Sequence, residues 1–86
     1  MSQIIKINVN GKEDQIEWAL SEYFDELKGM KFMLNSVAAD QIINLDNLTE
    51  TAKILLSAVA GAVIQHLIDN NYPVDSIFEK GYFIVI

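Results

Sequence analysis

The sequence predicts an α+β fold, with three helices between two terminal strands (β-α-α-α-β) packed on one core. Three observations carry that prediction. Runs of β-branched and aromatic residues stand near both ends, at residues 4–9 and 82–86. Apolar residues recur at helical spacing between them, and residues 54–64 are apolar almost all the way round. With 86 residues the chain is expected to form a single domain over residues 1–86, since so short a chain supports one core.

The elements follow in order. In residues 4–9, Ile5, Ile7 and Val9 share one face and Ile4, Lys6 and Asn8 the other, which predicts a strand with one well-buried side. Asn10-Gly11 ends it and would ordinarily announce a hairpin. The spacing of Ile16, Ala19, Leu20, Tyr23, Phe24 and Leu27 instead predicts a helix over 13–28, with Gly29 just beyond its end. Met30, Met33, Leu34, Val37, Ala38, Ile42 and Leu45 predict a second helix over 30–45, although residues 30–34 could form a short strand. Asn47 with Glu50 resembles a capping pair and opens the third helix, residues 48–70. A turn through 75–79 leads to Gly81 and the final strand, 82–86. The terminal strands are expected to pair. Because two strands alone are marginal in water, they must lie on the helices, with an edge left open for extension by dimerisation.

Composition excludes several classes of function. Six lysines, no arginine and twelve acids give a net charge of −6, so no basic stripe exists to neutralise phosphates or read bases. Direct binding to nucleic acid or to an anionic membrane is therefore not expected. The charge favours a basic protein partner. The absence of cysteine removes thiol nucleophiles, thiolate metal sites and disulfides, and fits a cytoplasmic setting. The N-terminal residues lack the basic start of a signal peptide, and the apolar run 54–68 is shorter than the roughly 20 residues that span a bilayer.

No catalytic or cofactor-binding set emerges. His66 is the only histidine and falls on an apolar helical face, where backbone or Asp69 is its expected partner. Asp46, Asn47 and Glu50 lack the spacing of a calcium loop, and the four glycines are isolated rather than clustered for phosphate. The chain is expected to be no enzyme and to hold neither metal nor cofactor.

The informative feature is Trp18. On a helix over 13–28 it would face outward, ringed by Asp14, Ser21, Glu22 and Asp25. An exposed tryptophan amid carboxylates is a candidate hot spot for a basic protein surface. Two further features suggest self-association. Ser57 and Gly61, four apart, offer a flat helical surface, and the run containing Tyr82 and Ile84 is a hydrophobic strand that should not be left bare. The sequence thus supports a small acidic interaction module of inhibitor, immunity or regulatory type. An assembly protein acting by self-association is the alternative, and a nucleic-acid mimic a distant third.

Overall fold

The computed structural model describes residues 1–38 and 45–86. These residues form a four-stranded antiparallel sheet with three α-helices and a 3₁₀ helix. The chain runs β1 (Ser2–Val9), β2 (Lys12–Ala19), a 3₁₀ helix (Glu22–Glu26), β3 (Lys31–Met33), α1 (Leu34–Ala38), α2 (Glu50–Asp69), α3 (Val74–Lys80) and β4 (Gly81–Val85). The strand order is β2-β1-β4-β3. The two terminal strands pair as expected, with Ile5 opposite Val85 and Val9 opposite Gly81.

The first predicted helix is replaced by a strand. Asn10 and Gly11 both take positive φ, 53° and 87°, the twist that suits a two-residue hairpin turn. Gly11 N–H donates to the Asn8 carboxamide at 2.9 Å. β2 then folds back along β1 with Val9 opposite Lys12 and Ile5 opposite Ile16. The hairpin signal in Asn-Gly outweighs the helix-favouring Lys, Glu and Gln that follow. Only Phe24 and Leu27 of the proposed helical stripe are buried, and they lie in and just after the 3₁₀ helix, while Leu20 is 52% exposed.

The second predicted helix divides. Its start is strand β3, and α1 begins at Leu34; the part of that helix over 39–44 lies outside the described residues. The third is close to expectation, but its cap is Thr49, whose hydroxyl accepts from Ala52 N–H at 3.2 Å, and not Asn47. Glu26 accepts from both the Thr49 N–H (3.0 Å) and the Thr49 hydroxyl (2.8 Å). Its charge therefore sits beside the positive end of α2, where it is favourable. The turn through 75–79 is a full helix, α3, that feeds β4 without a loop.

One hydrophobic cluster joins all layers. Ile5, Ile7, Phe83 and Val85 from the sheet meet Phe24, Leu34, Leu56, Val63 and Ile77 from the helices. Gly81 marks the tightest point. A Cβ there would lie 2.2 Å from the Ile77 carbonyl oxygen and 2.7 Å from Leu34 Cδ1, so only glycine allows α3 to close onto β4. α2 is long and apolar enough to cross a membrane. In this fold Ala52, Leu56, Val59, Ala60, Val63 and Leu67 are buried in the core, and 33% of α2's most apolar window is buried.

Candidate interaction surface

Successive side chains of a strand point to opposite faces, so the sheet has two unlike sides. Gln3, Ile5, Ile7 and Val9 of β1 and Phe83 and Val85 of β4 turn toward the helices and are buried. Ile4, Lys6 and Asn8 of β1 turn the other way, with Tyr82 and Ile84 of β4, Lys31 and Met33 of β3, and Glu13, Gln15 and Glu17 of β2. Every described helix contributes to the core on the first side. Among the described residues, none of these elements covers the second.

An antiparallel sheet with one face in water ordinarily presents polar residues there. Here the two central strands present Ile4, Tyr82 and Ile84, each half-buried by its neighbours. The cross-strand register sets the arrangement. Lys6 stands between Gln15 and Ile84, with Lys31 beyond Ile84; Asn8 stands between Glu13 and Tyr82, with Met33 beyond Tyr82. Lys31 Nζ lies 4.0 Å from the centroid of the Tyr82 ring, a cation–π contact that shields part of the ring. Lys6, Asn8, Glu13, Gln15, Tyr82 and Ile84 line a shallow groove of about 350 Å³ on this face.

The residues proposed around Trp18 do not form the expected ring. Trp18 lies on β2 opposite Gln3, on the helix-facing side, half-buried and packed against the core. Asp14 shares that side, opposite Ile7. Ser21 caps the 3₁₀ helix, accepting from Tyr23 N–H at 3.3 Å, while Glu22 and Asp25 are exposed on that helix. Asp25 pairs with Lys28 at 3.1 Å. The physical reason is the change of period. A strand turns Trp18 inward with Asp14 and Ile16, whereas a helix would have turned it out.

The four self-association residues fall on two separate surfaces. Ser57 and Gly61 are exposed on the side of α2 away from the sheet, near Ile54, which is 70% exposed. Tyr82 and Ile84 stand together on the uncovered sheet face. β4 is bonded on both sides, by β1 and β3, so its edge is closed and only its side chains remain available. Among the described residues, the sheet ends at β2 on one side and at the short β3 on the other.

A further cluster centres on Asp14. Asp14 Oδ2 lies 3.0 Å from His66 Nε2 and accepts from the Tyr72 hydroxyl at 3.0 Å, while Oδ1 accepts from Gln15 N–H at 2.8 Å. Lys12 stacks over the Tyr72 ring at 4.7 Å. Partial burial pushes the Asp14 carboxyl up, but the Gln15 N–H, His66 and Tyr72 outweigh it and hold its pKa below the ordinary value. Burial, then the hydrogen bond donated to Asp14 and the Asp14 charge, push the Tyr72 hydroxyl up. The cluster fastens the edge hairpin to the end of α2, across 52 residues of sequence in the case of His66. No local spacing could have revealed it; the expected partner of His66, Asp69, bonds Gln65 instead.

No protein-family model, curated protein or solved structure matches the chain.

Proposed function

We propose that this chain is a small non-catalytic interaction module that docks another protein over the uncovered face of its sheet. One observation carries the reading. The two central strands direct Ile4, Tyr82 and Ile84 away from the core, onto a face that no described element covers. Apolar and aromatic side chains in such a setting are what a partner would desolvate. The preference for a protein partner over nucleic acid rests on the charge of −6 and the lack of arginine, and a cytoplasmic setting agrees with the absence of cysteine. Tyr82 and Ile84, rather than Trp18, anchor this surface, because the indole lies on the helix side of the sheet and packs against the core.

The test uses that lack of cysteine. A single cysteine introduced at Ile84, and separately at Gly61, carries a photo-crosslinker in the cells that make the protein. The reading predicts a discrete protein adduct from position 84 and none from position 61. Adducts from 61 with none from 84 would overturn it.

A further inference from the structure

We infer that the occupant of the uncovered sheet face is a second copy of this chain, stacked about a two-fold axis parallel to the strands. This rests on the reading that the face docks a protein, and it names the partner.

Charge is the first argument. The chain carries −6, yet this face holds two acids, Glu13 and Glu17, and two lysines, Lys6 and Lys31. A surface built for a basic partner would concentrate acid. This face is balanced while the excess acid lies elsewhere, so two copies meet with the least like-charge repulsion here.

The order of those charges is the second. The acids lie along β2 at one border of the sheet, and Lys31 on β3 at the other. A two-fold axis parallel to the strands lays β2 of each copy over β3 of its partner, and β1 over β4. At each side Lys31 then lies over Gln15 of the partner, flanked by Glu13 and Glu17 two residues away, and Lys6 and Asn8 lie over Ile84 and Tyr82 between them. An axis across the strands would set acid on acid. A closed interface of this kind is isologous, and it needs a patch complementary to itself.

Shape agrees, and area makes the association weak. The molecule is a slab, 32 × 30 × 18 Å, and the uncovered face is one of its broad sides. Strands about 4.8 Å apart give a face of a few hundred Å², below the roughly 800 Å² per partner of stable interfaces and in the range of weak, transient ones. The dimer is therefore expected to dissociate in the micromolar range.

Sedimentation of the full chain across that range tests the inference. Wild type should pass from monomer to dimer. Lys31→Glu should weaken the dimer at least tenfold, and so should the double variant Glu13→Lys with Glu17→Lys. An equimolar mixture of the two variants should restore dimer to near wild-type strength, which no loss of folding could imitate. Circular dichroism and thermal melting of each variant establish that it is folded. A folded wild type that stays monomeric throughout overturns the inference, as does a mixture that remains monomeric. If the crosslinker at position 84 then gives an adduct heavier or lighter than two copies of this chain, the docking face stands and only its occupant changes. If it gives no adduct, the docking reading fails too.

Discussion

The two faces of one sheet, built from the same strands, differ in what covers them. On the helix side, Ile5, Ile7, Phe83 and Val85 are almost wholly buried and their contribution is stability. On the other side, one residue away along the same backbone, Lys6, Ile84 and Tyr82 stay partly in water. They add little to the fold and, on the reading proposed above, most of the association. On that proposal, a period of two separates folding from binding within a single strand. Substitutions at adjacent positions should have effects that do not overlap.

The largest expected effect is at the covered face. Phe83→Ala should cost about 3–5 kcal/mol of stability, the usual result of emptying a fully buried aromatic site, as read by denaturant unfolding. Ile84→Ala, its neighbour, should cost far less. Equal losses at both positions would break the contrast between the faces.

Next comes the junction of α3 with β4. Gly81→Ala should destabilise by about 1–3 kcal/mol through overpacking, because the added methyl meets the Ile77 carbonyl, which is backbone and cannot step aside cheaply. A melting temperature unchanged from wild type would show that the two elements have slack.

How far the sequence discloses these features depends on how local each signal is. α2 is legible because its apolar run is long and unambiguous, and the pairing of the terminal strands follows from composition at the two ends. The hairpin is misread because Lys12, Glu13, Asp14, Gln15 and Glu17 favour helix, and only Ile16 and Trp18 mark the alternation. Asn10-Gly11 carries the correct signal. β3 is short enough to be absorbed into a helical pattern. The uncovered face is half legible: Tyr82 and Ile84 are singled out by hydrophobicity, but their joining with Ile4, Lys6, Lys31 and Glu13 needs the strand order. The Asp14 cluster spans residues that only the tertiary fold brings together.

A smaller effect is expected where the edge hairpin is fastened to α2. Asp14→Asn weakens the acceptor of His66 and Tyr72 and should cost about 1–2 kcal/mol near neutral pH. The Asp14 pKa is lower folded than its ordinary value of 3.8, so its stabilisation is present above about pH 4 and fades as pH falls through the folded value. The stability gap between wild type and variant, followed by unfolding titrations, should therefore narrow on acidification below pH 4. A gap that widened there would contradict the assignment.

The smallest effect has the opposite sign. Gly61 sits inside α2, where a Cβ would meet nothing within 4 Å. Gly61→Ala should stabilise the protein by about 0.5–1 kcal/mol through helix propensity, with self-association unchanged. Loss of association on this substitution would move the interface to α2.

The most direct measurement compares the two broad sides of the molecule at once. A neutral, soluble paramagnetic probe is added to the labelled protein at low and at high concentration, and NMR line broadening is followed at each methyl and amide. The account predicts that Ile4, Tyr82 and Ile84 broaden when dilute and become protected when concentrated, while Ile54, Gly61 and Ile68 broaden at both. Protection of the α2 residues on concentration, with the sheet face still broadened, would contradict it.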